Sequence, residues 1–425
     1  MNVTALKGFK DILPEETLVW QRIETTARDV FRRFGFREIK VPILEKTALF
    51  ARSIGETTDI VEKEMYTFTD RNGDSITMRP EGTAPVLRSF IEHSLHNQQP
   101  VQKLFTFGPM FRHERPQKGR LRQFHQISVE ALGANQPELD AEIMAMASMI
   151  LTELGLVVSL EINSLGCPQC RPGFNQALLA FLADKQDSLC EDCQRRREKN
   201  PLRVLDCKSA TCQSHYQEAP SIIDHLCSGC SSHFQIVQNG LIAMEIPYAV
   251  NSFMVRGLDY YTRTTFELIT DALGAQSAVG AGGRYDGLIK QLGGPDLPGI
   301  GFAMGMERLV LLLQQQESNL CQTQGDLFIA ARGDKARTAS FTMAHGLRRL
   351  GMQVIMEYAG ASLKSQMKQA DRHNCRYTLI IGDEEMEKGE ATLRNMLTRD
   401  QDLIKLPDQG IKEWCTMLIQ KLYTA

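Results

Sequence analysis

The segment FGPMFRHERPQKGRLRQFHQISVE, residues 107–130, decides how this sequence is interpreted. Two largely apolar stretches flank a loop that contains proline and glycine, a pattern that predicts two antiparallel strands joined by a long hairpin. Arg112 stands on the first strand between apolar neighbours. Gln126 and Glu130 share one face of the returning strand, because residues two or four apart in a strand point the same way. The segment therefore predicts charged and polar groups held rigidly on a sheet.

The charge of this hairpin differs from that of the whole chain. Between Lys103 and Arg122 there are six basic residues and one acid, Glu114, whereas the chain has 48 Lys and Arg against 51 Asp and Glu. A basic loop alone is more often a solvated surface than a binding site. A guanidinium fixed on a strand, as at Arg112, is nevertheless well suited to bidentate contact with a phosphoryl oxygen.

Composition limits the classes of protein that remain. A length of 425 residues predicts roughly two to four domains. Charged residues make up 23% of the chain and hydrophobic residues 43%, which excludes a disordered or strongly basic protein. No stretch approaches the ~18 consecutive apolar residues of a membrane span, and the first residues do not resemble a signal peptide. We therefore expect a cytoplasmic protein that does not associate with membranes.

Changes in residue pattern divide the chain into three parts. Apolar spacing predicts a helix over residues 15–34, and Asn72-Gly73 predicts a hairpin turn. Antiparallel strands followed by helices predict an α+β core over 1–166 and 241–318. Residues 167–240 contain eight of the eleven cysteines and few strand patterns, which predicts a mostly helical insertion. Beyond a linker at 318–325, three apolar strands alternate with helical segments and predict an α/β domain over 326–425.

The clustered cysteines form four closely spaced pairs. Two-residue spacing suits a metal knuckle, and two such pairs can supply one Cys₄ zinc site, so one or two structural Zn²⁺ ions are expected. Reduced thiols that pack as small apolar side chains are the alternative. The candidate metal ligands are Cys167, Cys170, Cys190, Cys193, Cys207, Cys212, Cys227 and Cys230.

Five segments together resemble the class II aminoacyl-tRNA synthetases, and within that class the bacterial histidyl-tRNA synthetase family. The hairpin at 107–130 resembles motif 2, GFAMGMERLVLLL at 301–313 resembles motif 3, and GFREIKVPILE at 35–45 resembles motif 1. VRGLDYYTRTTFE at 255–267 and AGGRYDGL at 281–288 are similar to the two histidine-specific signatures of the family. The resemblance covers almost the whole chain.

The resemblance implies both a fold and an activity. The fold is an antiparallel-sheet catalytic domain with a helical insertion, followed by a C-terminal α/β anticodon-binding domain. The activity is histidine–tRNA ligation: L-histidine reacts with ATP to give histidyl adenylate, which is transferred to the 3′ end of tRNA(His), releasing AMP and diphosphate. ATP and Mg²⁺ are the implied cofactors, and motif 1 implies a homodimer.

The resemblance also assigns roles to residues. Arg112 and Arg256 are the implied catalytic residues, since phosphoryl oxygens that gain charge need fixed cations. In the ATP site, Arg112 and Arg120 are assigned to the α- and γ-phosphates, and Arg308 stacks on adenine opposite Phe124. The implied ATP-binding residues are Arg112, Glu114, Arg120, Phe124 and Arg308. The implied histidine-binding residues are Glu81, Thr83, Gln126, Glu130, Arg256, Tyr260, Tyr261 and Tyr285.

Within the histidine site, Glu130 and Tyr261 are assigned to the two imidazole nitrogens. Glu81 and Thr83 are assigned to the α-ammonium group, and Gln126 and Arg256 to the carboxylate. Without the resemblance the same residues have simpler interpretations. Phe124 would be a core residue, Arg308 a surface ion pair, and the two glutamates and Tyr261 ordinary strand partners.

A basic stripe follows one side of a predicted C-terminal helix. Lys364, Lys368 and Arg372 recur every four residues and therefore share a face. Such a stripe is more often solvent-facing surface, but the segment around it resembles an anticodon-binding domain, which favours contact with tRNA. Gln117, in the motif 2 loop, is also predicted to contact tRNA.

Two other functions stay open at this point. The first is a non-catalytic paralogue built on the same fold, which the presence of the motif residues and of the terminal domain disfavours. The second is a different class II specificity, which RGLDYY at 256–261 and AGGRYDG at 281–287 disfavour.

Overall fold

The computed structural model describes residues 3–55, 58, 60–117, 119–185, 188–207, 209–216, 218–276, 278–316, 325–407 and 410–424. The chain divides into two compact units, Met1–Leu320 and Cys321–Ala425. The predicted linker falls almost entirely on residues 317–324, outside the described residues. No helix in the described ranges has the length and apolar character required to cross a bilayer.

The first unit is built on an eight-stranded sheet. Its strands are β1 (Arg37–Glu38), β5 (Gln102–Phe111), β6 (Gln123–Leu132), β7 (Ser159–Ser164), β8 (Tyr248–Val250), β9 (Thr262–Ile269), β10 (Ala278–Arg284) and β11 (Gly299–Gly305). They are arranged in the order β1-β5-β6-β11-β10-β9-β7-β8. The β1–β5 and β7–β8 pairs are parallel and the other neighbours are antiparallel. The predicted antiparallel α+β class is therefore confirmed.

A smaller sheet in the same unit contains β2 (Leu44–Lys46), β3 (Tyr66–Thr69) and β4 (Ser75–Met78), in the order β2-β4-β3. The hairpin predicted at Asn72-Gly73 is confirmed, and Gly73 has a φ of +89°, a left-handed value that glycine adopts without strain. The motif 1 segment forms only two very short strands, because Pro42 lies between them and cannot donate a ladder hydrogen bond.

Helices cover the large sheet and supply its core. In this unit they are α1 (Pro14–Arg33), α2 (Thr47–Ile54), α3 (Thr83–Glu92), α4 (Pro137–Glu153), α5 (Arg171–Ala183), α6 (Glu191–Lys199), α7 (Ala210–Tyr216), α8 (Ser228–Ala243), α9 (Leu288–Gln291) and α10 (Met306–Gln316). Helix α1 lies within one residue of its predicted bounds. Ile23 and Phe31 of α1 pack with Met144 of α4 and Phe266 of β9 in one buried cluster.

The segment between β7 and β8 is helical, as predicted. Helices α5, α6 and α7 and two 3₁₀ turns, Pro201–Asp206 and Ile222–His225, enclose a small core of their own. Helix α8 differs from them, because its Phe234, Val237 and Leu241 belong to the main core and pack against α4. The limits of the insertion at 167 and 240 stay a prediction.

The second unit contains β12 (Leu327–Arg332), β13 (Val354–Met356), β14 (Tyr377–Gly382), β15 (Glu390–Asn395) and β16 (Gln401–Lys405), with α11 (Asp334–Arg349), α12 (Leu363–Arg372), α13 (Asp383–Lys388) and α14 (Ile411–Thr424). The three predicted strands form parallel pairs with β12 in the centre. The sequence did not predict β15 and β16. Both are rich in polar and charged residues, and they gain strand structure by antiparallel pairing with β14 and with each other.

Candidate active site

A cavity of about 320 Å³ lies in the first unit between β6, β10, β11 and the segment 256–261. This volume is in the usual range for small-molecule sites. The cavity wall includes most of the site residues predicted from the sequence: Glu81, Thr83, Arg112, Glu114, Arg120, Phe124, Gln126, Arg256, Tyr260, Tyr261, Tyr285 and Arg308. Residues far apart in the chain are thus brought together by the sheet.

Arg112 is held at one end of the cavity by the backbone. Its Nε donates to the carbonyl oxygen of Pro80 at 2.8 Å, and its guanidinium lies 5.3 Å from the centre of the Phe124 ring. Glu114 forms an ion pair with Arg120 and lies 3.8 Å from Nη1 of Arg112. Burial lowers the pKa of both arginines. A shared carboxylate therefore offsets part of the mutual repulsion of two closely placed cations.

Arg308, at the start of α10, also faces this end. Its Nη1 donates to the carbonyl oxygen of Ala278 on β10. Burial, followed by the positive charge of Arg120, lowers its pKa. Arg308 and Phe124 both line the cavity, but the guanidinium found over the Phe124 ring is that of Arg112. Stacking of Arg308 on adenine stays a prediction.

Arg256 lines the cavity beside Glu267 and Tyr261. Its Nη1 pairs with Glu267 of β9, and its guanidinium lies 5.8 Å from the ring centre of Tyr261. Burial, the largest single cause, acts against its charge, but Glu267, Tyr261, Asp206 and Tyr260 together outweigh burial and raise the pKa of Arg256. Nε of Arg256 and Oε1 of Gln126 are buried and have no hydrogen-bond partner among the described residues. A polar ligand in the cavity would satisfy both atoms.

A buried network of carboxylates and hydroxyls forms the other end. Glu81 accepts from the backbone N–H groups of Thr83 at 2.7 Å and Ala84 at 2.8 Å, at the start of α3. The Thr83 hydroxyl donates to Oε1 of Glu130 at 2.7 Å, and the Tyr285 hydroxyl donates to Oε2. Burial raises the pKa of Glu81, and it raises that of Glu130 to about 8. Burial likewise raises the pKa values of Tyr260, Tyr261 and Tyr285.

Glu130 lies behind the cavity wall and not on it. Only 1% of its surface is exposed, and the cavity side is covered by its partners Thr83 and Tyr285. Glycine at position 301 makes room for the carboxylate, because a Cβ there would lie 2.1 Å from Oε2 of Glu130. The sequence alone gave no indication of this second layer.

Two acidic residues on the cavity wall were not predicted. Glu267 pairs with Arg256, and Glu307 accepts from the backbone N–H of His125 at 2.9 Å. Glu267 lies at the end of segment 255–267 and Glu307 lies inside segment 301–313. Period-two alternation along β9 was the available signal for Glu267, since it places Glu267 and Thr265 on one face.

The eight cysteines form two clusters in space. Cluster A contains Cys167, Cys170, Cys227 and Cys230, and cluster B contains Cys190, Cys193, Cys207 and Cys212, with all sulfurs of a cluster within 4.8 Å of one another. In cluster A, Sγ of Cys167 lies 3.7 Å from Sγ of Cys170 and 3.9 Å from Sγ of Cys227. In cluster B, the sulfurs of Cys190 and Cys207 are 3.7 Å apart. A tetrahedral zinc with Zn–S bonds of about 2.3 Å places its sulfurs roughly 3.8 Å apart. The geometry of both clusters fits that metal.

Backbone groups support thiolates in each cluster. The N–H of Cys227 donates to Sγ of Cys170 at 3.1 Å, and the N–H of Cys190 donates to Sγ of Cys212 at 3.3 Å. Burial, the largest single cause, raises the pKa of Cys167 and Cys212, but hydrogen bonds from backbone N–H groups and from neighbouring side chains together outweigh it and lower each pKa to about 7. Thiolates are the form that binds metal.

The residues predicted to contact tRNA are exposed. Gln117 lies in the loop between β5 and β6, where its backbone pairs with that of Arg120. Lys364, Lys368 and Arg372 are exposed on α12, while Ala370 on the same helix is buried. Gln366 is also buried, and it bonds both backbone groups of Ala331. The buried side of α12 therefore contains a polar residue, Gln366, beside Ala370.

An antiparallel catalytic sheet, an arginine-lined cavity at motifs 2 and 3, and a separate α/β unit together define a class II aminoacyl-tRNA synthetase. The family model for histidyl-tRNA synthetase matches residues 8–309, and the model for the anticodon binding domain matches residues 326–412. The chain therefore belongs to the histidyl-tRNA synthetase family.

Individual relatives agree with this placement. The chain is 58% identical to a histidine–tRNA ligase of Desulfotalea psychrophila, over 94% of this chain and 93% of the relative. It is 57% identical to a histidine–tRNA ligase of Geobacter metallireducens, over 96% and 98%. Its fold is similar to the crystal structure of apo Staphylococcus aureus histidyl-tRNA synthetase, with a TM-score of 0.81, 37% identity, and coverage of 97% of this chain and all of the other.

Proposed function

We propose that the cavity activates L-histidine with ATP and then passes the histidyl group to the 3′ end of tRNA(His), releasing AMP and diphosphate. Histidine–tRNA ligation is the activity of the family to which the chain belongs, and ATP with Mg²⁺ is the general requirement of synthetases. The observation that carries the proposal is the convergence of Arg112 and Arg256 with the unsatisfied polar atom of Gln126 in one cavity.

In the first step, a carboxylate oxygen of histidine attacks the α-phosphorus of ATP, and the bond to the diphosphate leaving group breaks. Negative charge on the phosphoryl oxygens must be stabilised by groups already in place. Two arginines supply the compensating positive charge: Arg112, fixed by its bond to Pro80, and Arg256, fixed by Glu267. Mg²⁺ carried by the ATP phosphates would supply further positive charge there.

At the nucleotide end, Arg120 contacts the γ-phosphate and Glu114 holds Arg120 in position. Adenine lies between the Phe124 ring and the Arg308 guanidinium, since only guanidinium combines charge with a flat face. All four side chains lie on the cavity wall, which supports this arrangement.

At the amino-acid end, histidine is recognised by buried polar groups. Glu81 and Thr83 contact the α-ammonium group, and Gln126 and Arg256 contact the carboxylate. Tyr261 and the Glu130–Tyr285 pair recognise the two imidazole nitrogens. The Tyr260 ring packs against both, with its centroid 4.8 Å from that of Tyr261 and 5.8 Å from that of Tyr285. An amino acid without the imidazole would leave these groups unpaired, which is the most selective form of rejection.

The proposal extends to partners and location. Gln117 and the α12 stripe of Lys364, Lys368 and Arg372 contact tRNA(His), two copies of the chain form a homodimer, and the protein works in the cytoplasm. Clusters A and B each hold one structural Zn²⁺ ion. The sulfur spacing supports the zinc sites, because four thiolates at these distances match tetrahedral coordination.

Exchange of labelled diphosphate into ATP tests the central proposal. We expect exchange that requires histidine and Mg²⁺ and that no other amino acid supports. Arg195→Ala serves as a control, because Arg195 is exposed in the insertion and pairs with Asp192, three residues away on the same helix. Exchange that depends on a different amino acid would show that the protein is specific for that amino acid and not for histidine. No exchange with any amino acid would favour a non-catalytic paralogue.

A further inference from the structure

Two arginines of the insertion reach the segment that carries Arg256, Tyr260 and Tyr261. Arg171 directly follows Cys170 of cluster A. Arg203 lies in the short connection between Cys193 and Cys207 of cluster B. Each cluster is therefore joined, through one guanidinium, to residues 256–261.

Arg203 holds the centre of that segment. Its Nη2 donates to the carbonyl oxygen of Gly257 at 2.6 Å, and its Nε donates to Oδ1 of Asp259 at 3.1 Å. Asn200 also donates to Oδ1 of Asp259 at 3.1 Å. Arg203 is only 8% exposed, so these bonds form in a partly dry environment where they are stronger than at the surface.

Arg171 holds the end of the segment. Its guanidinium donates to the carbonyl oxygen of Tyr261, and its Nε lies 3.5 Å from the carbonyl oxygen of Leu165. The next residues repeat the link through the backbone, since the N–H of Arg263 donates to the carbonyl oxygen of Gly166 at 2.9 Å. Arg171 thus fixes one tyrosine of the histidine pocket from outside the cavity.

The apolar core around these arginines is small. Among the described residues of the insertion it contains 11 buried residues, and three of them, Cys193, Cys207 and Cys212, are cluster B cysteines. A metal that closes the two cysteine clusters would fix the backbone at residues 170 and 207, close to both arginines. Thiolate–zinc bonds contribute folding free energy directly where the apolar core is small.

We propose that Zn²⁺ in clusters A and B positions Arg171 and Arg203, and that these two residues set the affinity of the pocket for histidine. The proposal rests on the proposed function of the same site. Arg171 and Arg203 are positioning residues, because they act on the backbone of 256–261 and do not line the cavity. Phe124 on β6 and Arg308 on α10 form the adenine end of the cavity. We therefore expect the affinity of the protein for ATP to be independent of the zinc ions.

Zinc removal is the first test. The full chain is treated with a zinc chelator, which is then removed before Mg²⁺ and ATP are added. Hydrogen–deuterium exchange is measured on residues 256–261, and diphosphate exchange gives the KM values. We expect faster deuterium uptake in this segment, a KM for histidine raised about tenfold, an unchanged KM for ATP, and recovery on adding Zn²⁺. Unchanged uptake and unchanged KM for histidine in zinc-free protein would overturn the proposal.

Single variants test Arg203 directly while zinc stays bound in clusters A and B. Arg203→Ala is expected to raise the KM for histidine about tenfold, the loss typical of one charge-assisted hydrogen bond, with two zinc ions per chain and the same KM for ATP. Arg203→Lys, which keeps one donor, should recover part of the effect. Arg195→Ala in the neighbouring helix α6 should change neither KM. Equal effects of Arg203→Ala on both KM values would indicate general damage and overturn the positioning role.

The two proposals fail in different ways. If the parent protein shows no diphosphate exchange, the proposed activity is wrong, whereas zinc content and deuterium uptake still measure the link between the clusters and residues 256–261. If exchange is normal but the elemental analysis shows no zinc, the activity stands and the positioning by metal is wrong.

Discussion

The catalytic cavity and the Cys-rich insertion are adjacent in the same unit but are stabilised in different ways. Among the described residues, the sheet that carries the cavity is backed by a cluster of 36 buried apolar residues, whereas the cluster inside the insertion has 11. Each fully buried large apolar side chain contributes about 1.5 to 3 kcal/mol. The sheet can therefore hold charged groups in a fixed geometry without help, while the insertion needs a further source of stability.

The difference shows how a synthetase can combine a rigid site with a separately stabilised module. Charges in the cavity are positioned by backbone contacts, such as the bond from Arg112 to Pro80, and by carboxylates such as Glu267. Three helices begin at cysteines, since Cys170, Cys190 and Cys227 are the N-cap residues of α5, α6 and α8. A metal bound at those positions would fix where these three helices start.

The largest expected effect is on the insertion. Cys190→Ser should remove the zinc of cluster B and unfold the surrounding helices, since a structural zinc contributes on the order of 10 kcal/mol to folding in small metal-binding domains. Elemental analysis should fall from two zinc ions per chain towards one, and deuterium uptake over residues 188–216 should rise. Cys375→Ser is the control, because Cys375 is a buried free thiol of the second unit. If Cys190→Ser retains both zinc ions, cluster B is not a metal site.

The next effect is on the cavity. Arg256→Ala should raise the barrier to adenylate formation by about 2.7 to 4 kcal/mol, the typical cost of one oxyanion donor, because its charge acts mainly on the transition state. Rapid-quench measurement of adenylate formation gives the rate, and equilibrium dialysis gives histidine affinity, which should change far less. Arg263→Gln is the matched control, since Arg263 bonds Asn135 outside the cavity. A near-normal rate of adenylate formation in Arg256→Ala would remove its assigned role.

A smaller effect is expected on the pH dependence of stability, through the buried carboxyl of Glu130. Burial raises the pKa of Glu130 from 4.5 to about 8, so between these values the folded chain binds more protons than the unfolded chain. Its contribution to stability is therefore fully present below pH 4.5 and is lost as the pH rises through about 8. Glu130→Gln does not titrate, so its Tm should rise relative to the parent protein across this range, while histidine-dependent exchange weakens.

The measurement is thermal unfolding from pH 5 to pH 9, where about 1 kcal/mol corresponds to a shift of roughly 1 to 2 °C in a unit as large as Met1–Leu320. Glu153→Gln, at an exposed position where Glu153 pairs with Arg33, should differ from the parent protein by the same small amount at every pH. A constant difference in Tm between Glu130→Gln and the parent would mean that Glu130 does not change its charge in this range.

The smallest effect on the cavity is expected from removal of the second unit. Truncation after Ser318 should leave histidine-dependent diphosphate exchange within about twofold, because each unit has its own apolar core. Charging of tRNA(His) should weaken. The full chain carrying Lys364→Ala, Lys368→Ala and Arg372→Ala is the companion variant, and it should lower the dependence of tRNA affinity on salt. Unchanged tRNA affinity in both proteins would exclude contact through this unit.

Much of the fold could be predicted because the signals are local. Helix α1, the hairpin at Asn72-Gly73 and the parallel strands β12, β13 and β14 follow from spacing and turn residues within short windows. Strands β15 and β16 could not, since their residues are polar and their structure depends on pairing with β14. Context of this kind overrides intrinsic strand preference.

The sequence by itself indicated most of the residues that surround the cavity, because motifs 2 and 3 and the two histidine-specific segments carry recognisable side chains in a fixed order, but it did not indicate Glu267 or Glu307. Only the tertiary structure decided how those residues contact one another. It placed Glu130 behind Thr83 and Tyr285, and it paired Arg256 with Glu267. It also grouped the cysteines at 167 and 170 with those at 227 and 230, about sixty residues later. Such contacts depend on sheet register and helix packing, which join positions far apart in the chain and leave no periodic signal in the sequence.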